Sequence, residues 1–124
     1  MNARRLFTVA AIFNLLVGLP MLVAYPVVAK MLALQGPPTV WFDIVACVVV
    51  LFGYVYWKVA RDPVQFRPYV LLGILAKLLF VIAVYGHWLA GDISSRVAAL
   101  VTVDLVFALA FAAYLRSSMP GRAH

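Results

Sequence analysis

Three residues carry most of the chemistry this chain can offer: Asn14, Lys77 and Asp104, each set inside a long apolar stretch. A lysine or aspartate at the centre of a lipid bilayer costs roughly 2.5–3.5 kcal/mol on insertion scales, so such groups persist where a partner compensates them. Lys77 and Asp104 have opposite charge, and the Asn14 amide can both donate and accept. The expectation is a Lys77–Asp104 ion pair with Asn14 as its hydrogen-bonding third member. Such a trio can fix helix register, hold the polar part of a ligand or couple to protons.

A second, weaker constellation is Asp43 with His87, near Tyr85, Trp41 and Trp88. These residues fall at helix ends on the outer side and read as candidates for a pocket rim or a proton access point. Plain helix-end polarity competes with that reading, since an aspartate in a first turn complements the helix dipole.

Several chemistries lack their residues. There is no Glu, no H-E-x-x-H, no P-loop and no glycine-rich dinucleotide fingerprint. The G-x-x-x-K from Gly73 to Lys77 lies in an apolar span, where no phosphate loop forms. One Cys and two His at unrelated spacing provide no zinc or haem set, so no metal and no cofactor are expected. Cys47 reads as a small buried apolar residue.

The elements that must position these residues are four apolar stretches, about 6–29, 40–57, 69–89 and 97–115. About 20 helical residues at 1.5 Å rise cross a hydrocarbon core about 30 Å thick. Hydrophobic residues make up 67% of the 124, and charged residues 11%. The mean hydropathy is +1.07. These values are far from the roughly one-quarter charged fraction of a soluble domain. The expected fold is all-α: a single-domain transmembrane up-down four-helix bundle.

Charge sets the expected orientation. Arg4, Arg5, Lys58, Arg61, Arg67, Arg116 and Arg122 fall on one side of four crossings, and Lys30 and Arg96 on the other. This bias predicts both termini in the cytoplasm and a multi-pass protein of the inner membrane. The net charge of +6 therefore reads as a topology signal rather than as a nucleic-acid surface. The first stretch is longer than the apolar core of a signal peptide and ends without a clear A-x-A site, so it reads as a retained span.

Prolines and glycines mark the connections. Gln35-Gly36-Pro37-Pro38 closes the first hairpin, with residues 27–34 as an extension along the outer interface. Arg61-Asp62-Pro63 ends the second span, and Asp92, Ser94 or Ser95 can cap the last helix. Trp41 and Trp88 mark the outer interface; Trp57, Tyr56, Tyr69 and Tyr114 mark the inner one.

Asn14 and Lys77 lie about eight residues from the cytoplasmic ends of their spans and Asp104 about eleven, which puts all three roughly 12–17 Å deep. Small residues share their faces: Ala10 and Gly18 with Asn14, Gly73 with Lys77, Ala108 and Ala112 with Asp104. Small residues mark close approach of membrane helices, so the trio should point into the bundle.

Asn14 with Gly18, Phe52-Gly53-Tyr54 leading to Ala60-Arg61-Asp62-Pro63, Gly73-xxx-Lys77 and Asp104 give the chain a further feature. In these residues it resembles a group of small bacterial four-helix integral membrane proteins with no assigned activity. That resemblance implies the topology and the importance of the polar trio. In size and span number it is also similar to small multidrug resistance transporters, but they use a glutamate in the first helix, where this chain has Asn14.

Three functional classes are compatible with these features. The foremost is a binding or accessory module, with Asn14, Lys77 and Asp104 serving partner subunits or an apolar small-molecule ligand within the lipid bilayer. The second is a proton-coupled transporter, which at this size requires a homo-oligomer. The third is a membrane-embedded isomerase-type enzyme using Asp43, His87 or Asp104 as acid or base.

Overall fold

A computed structural model describes residues 2–117, so Arg122 of the charge count lies outside the described residues. The described chain is helical: α1 (Ala3–Val23), α2 (Tyr25–Leu32), α3 (Val40–Arg61), α4 (Arg67–Leu89) and α5 (Ser95–Ser117). All but α2 are long and apolar enough to cross a membrane. Leu16, Leu79 and Val106 are 61–70% exposed on their outer faces. Faces that apolar suit hydrocarbon and not water.

The helix ends follow local chemistry. The Asn2 side chain accepts from the Arg5 amide at 2.9 Å, and Thr39 Oγ1 accepts from the Phe42 amide at 3.1 Å. Ser94, one of three expected candidates, caps α5 by accepting from the Val97 amide at 3.3 Å.

The first span departs from its expected extent. It stops at Val23 rather than near residue 29, and residues 25–32 form the separate helix α2. Pro26, at the start of α2, lacks the amide hydrogen that would bond back to Leu22, and its ring does not fit inside a continuous helix. The break falls at Ala24, whose φ of −138° and ψ of 47° lie outside the helical region.

Packing is in two pairs. α1 lies on α3, with Phe7 against Tyr56 at one end; beyond the other end of α1, Tyr25 of α2 packs on Phe42. α4 lies on α5: Arg67 donates to the Leu115 carbonyl at 3.0 Å, and Trp88 Nε1 donates to Ser95 Oγ at 3.1 Å. Within each pair, contacts run in opposite chain directions. Gly18 permits the first approach: a Cβ there would lie 2.7 Å from Val50 Cγ2 and 3.1 Å from the Val50 amide nitrogen. The pairs join through a fully buried group that includes Phe7, Tyr56, Val59, Val70 and Phe111, with Phe7 and Phe111 stacked at 4.6 Å.

Three expectations about burial are corrected. Tyr56 is a core residue, 1% exposed, and not an interface marker. Cys47 is exposed, because the α1-facing side of α3 is taken by Ala46, Gly53 and Tyr56. Ala112 is exposed while Ala108 and Phe111 are buried. Eight helical residues turn about 80° beyond two full circles, so Asp104 and Ala112 do not share a face.

Candidate functional site

Asn14 on α1, Lys77 on α4 and Asp104 on α5 meet at the seam between the two pairs. Lys77 Nζ donates to Asp104 Oδ1 in salt-bridge geometry and to Asn14 Oδ1 at 3.4 Å. Asn14 Nδ2 donates to the Val49 carbonyl at 3.1 Å, which ties α3 into the same cluster. Lys77 is 3% exposed and Asn14 5%, whereas the Asp104 side chain keeps 20% of its surface accessible.

Aromatic rings enclose the ammonium. The centroids of Tyr56 and Phe107 lie 5.3 Å from Nζ and that of Phe13 at 5.8 Å. Ring faces attract a cation at this range, more so once water is excluded. Lys77 is therefore held by two oxygens and three rings. Room for the Tyr56 ring comes from α4: a Cβ at Gly73 would fall 2.7 Å from Tyr56 Cε1 and 3.2 Å from its hydroxyl oxygen.

Two neighbouring spaces adjoin the trio. A small chamber of about 40 Å³ touches Asn14, Lys77, Asp104 and Tyr56. A larger cleft of about 590 Å³ runs from Asp104 past Leu100, Phe80 and Val49 to Phe42 and Ile93. The two share Val17, Val49, Phe80, Leu100 and Asp104 as walls. Away from the trio the cleft borders a third space of about 700 Å³, between the 33–39 and 91–94 loops. At the opposite end the aromatic group of Phe7, Tyr56 and Phe111 fills the interior.

The cleft forms where the pairs diverge. Buried contacts between α3 and α4, such as Tyr56 beside Gly73, belong to the end near the α3–α4 connection. Farther along, Trp41 and Val45 on α3 and His87 on α4 line the cleft while remaining exposed, so its wall is incomplete between these helices.

Of the sequence candidates, the structure brings Asn14, Lys77 and Asp104 together and leaves Asp43 apart from His87. His87 Nδ1 lies 3.0 Å from Asp92 Oδ2, five residues along the same turn. Asp43 is exposed in the first turn of α3 and makes no side-chain hydrogen bond among the described residues. Short-range closure explains the change of partner, since the 90–94 turn folds Asp92 back onto the end of α4. Sequence reasoning missed the ring cage and the cleft. Phe13, next to Asn14, and Phe107, three residues from Asp104, were the available signals for the cage.

Comparison with protein-family models, with curated proteins and with solved structures finds no match to this chain. A reading of function therefore rests on the site itself.

Proposed function

We propose that this chain is a membrane-embedded binding module that holds a small apolar molecule in the cleft between its helix pairs, against the Asn14–Lys77–Asp104 cluster. The carrying observation is the 590 Å³ apolar cleft that ends on the partly accessible carboxylate of Asp104. Ligand sites commonly enclose about 300–1,000 Å³, mostly apolar with a few convergent polar groups. In this reading Lys77 and Asp104 form a charge-neutral pair, which lowers the cost of placing a carboxylate at a ligand site in lipid.

The basic residues at one end support an up-down arrangement in a bacterial inner membrane, with both termini in the cytoplasm. Arg61 over Trp57 at 5.1 Å and Lys58 over Phe66 at 5.2 Å form an amphipathic rim suited to the inner headgroup layer. The cleft then opens toward the outer leaflet.

Native mass spectrometry on protein released from lipid nanodiscs tests this function. The expected result is a co-purifying apolar adduct on the wild type that is lost in Leu100→Trp, whose indole fills the shared wall. A folded wild type with no adduct, and none after addition of apolar compounds, would refute the binding reading.

A carrier is the second reading, favoured by one observation: the cleft opens at one end, and packed rings fill the other. It requires flux in proteoliposomes that disappears in Asp104→Asn.

A further inference from the structure

We infer that the ligand of this cleft is an uncharged amphiphile whose head donates a hydrogen bond, such as an alcohol or phenol, inserted head-first from the bilayer with its hydroxyl between Asp104 and Tyr56. This inference rests on the binding reading above and specifies the chemistry of its ligand.

The polar end of the site has one unused acceptor. Lys77 occupies Asp104 Oδ1, and no hydrogen bond among the described residues reaches Oδ2. It also has one unused hydroxyl, since that of Tyr56 bonds to no described residue although the side chain is 1% exposed. No fully enclosed side-chain nitrogen or oxygen among the described residues lacks a partner. The hydroxyl therefore keeps a small accessible surface, and Tyr56 lines the small chamber. A head hydroxyl there donates to Asp104 Oδ2 and accepts from Tyr56, so both orphan groups gain a partner.

Charge and volume exclude the other heads. A carboxylate or phosphate would set a second anion beside Asp104, leaving the single ammonium of Lys77 against two negative groups in a medium that penalises net charge. An ammonium head would add a second cation to a pair that is already neutral, in a medium that penalises net charge. The chamber, about 40 Å³, exceeds the roughly 10–15 Å³ that one water needs, so it holds a hydroxyl and its first carbon but no bulky headgroup. The tail then lies in the cleft and reaches lipid between α3 and α4, where Trp41 and Val45 line the incomplete wall.

The test is a chain-matched series in nanodiscs, with dodecanol, dodecylamine, dodecanoate and dodecane added at equal mole fraction in the lipid. Bound fractions are read by native mass spectrometry. Dodecanol is expected to bind about tenfold more tightly than dodecane, the size of one good buried hydrogen bond. Tyr56→Phe, which keeps the ring in place, should cut that preference about threefold, because the bond to the Asp104 carboxylate remains. Asp104→Asn, which exchanges an ionised acceptor for a neutral one, should lower the dodecanol preference as well. Preference for dodecanoate or dodecylamine would overturn the assignment, as would a dodecanol preference undiminished in Tyr56→Phe. Binding that is indifferent to the head but lost in Leu100→Trp would overturn the head assignment and leave the cleft reading intact. Binding of none of the four would overturn both.

Discussion

Asn14 donates through Nδ2 to the main-chain oxygen of Val49 at 3.1 Å, while its own Oδ1 accepts from Lys77. One amide thus ties α1 to its packing partner α3 and also to the opposite helix pair. Asn14→Leu removes both bonds and leaves Lys77 with Asp104 as its one oxygen partner. A loss of about 1–2 kcal/mol is expected, within the range for interhelical hydrogen bonds in membranes. Thermal unfolding in detergent should show a lowered midpoint with the helical content retained. A midpoint equal to that of the wild type would mean that the amide does not join the pairs.

The Lys77–Asp104 contact predicts a non-additive result. Lys77→Met leaves a carboxylate in an apolar interior, and Asp104→Leu leaves an ammonium there. Either change should cost about 3–5 kcal/mol, as breaking a buried pair does. The double variant leaves no charge unpaired and should be milder than either single one. Expression yield and melting midpoint across the four proteins measure this. Double-variant loss as large as the sum of the single losses would rule out coupling.

Much of this arrangement was legible in the sequence because burial in lipid is so costly to polar groups. The four long apolar helices followed from hydrocarbon thickness, and Asn14, Lys77 and Asp104 stood out as the residues that needed partners. Local backbone effects were harder to read. The break at Ala24 depends on one proline acting near the end of a long apolar run, and hydropathy does not register it. The partner of His87 depended on how the 90–94 turn closes, which spacing alone does not give. The cleft was invisible for a different reason: it arises where two helix pairs diverge, and no periodicity within one helix encodes that. Cys47 was misplaced because apolar character separates buried from exposed positions in water but not in lipid.

The glycines predict opposite effects from the same substitution. Gly18→Ala puts a methyl 2.7 Å from Val50 Cγ2 and 3.1 Å from backbone nitrogen, so α1 must move away from α3. Overpacking of this kind costs about 1–3 kcal/mol. Gly86, inside α4, would place the same methyl in open space. Gly86→Ala should therefore stabilise by up to about 1 kcal/mol through helix propensity. Melting midpoints moving in the same direction would contradict the packing described for α1 and α3.

Two side chains fasten α2 to the start of α5. Ser94 Oγ donates to the Leu32 carbonyl, and Arg96 reaches the Lys30 and Met31 carbonyls at 3.4 and 3.3 Å. These oxygens belong to the last turn of α2, whose carbonyls have no partners within the helix and favour a cation. Leu32 and Leu34 also line the cleft, so the fastening holds part of its rim. Ser94→Ala with Arg96→Gln should speed amide exchange over residues 25–34 by about tenfold or more, with exchange in the middle of α1 and α4 unchanged. Uniform acceleration would mean that the two side chains stabilise the whole bundle, and unchanged exchange would mean that they do not anchor α2.

Orientation can be tested with single cysteines on a Cys47→Ala background. Gln35 lies between α2 and α3, and Ser117 is the last residue of α5. The proposed orientation puts Ser117 in the cytoplasm and Gln35 across the bilayer. In intact spheroplasts a membrane-impermeant maleimide should label Gln35→Cys at once and Ser117→Cys after lysis. The reverse pattern would invert the protein and turn the cleft toward the cytoplasmic leaflet. Labelling of both before lysis would break the even count of crossings. Cys47 itself, exposed on the apolar surface of α3, should resist the reagent in the wild type until detergent replaces the lipid, because an impermeant maleimide does not enter hydrocarbon.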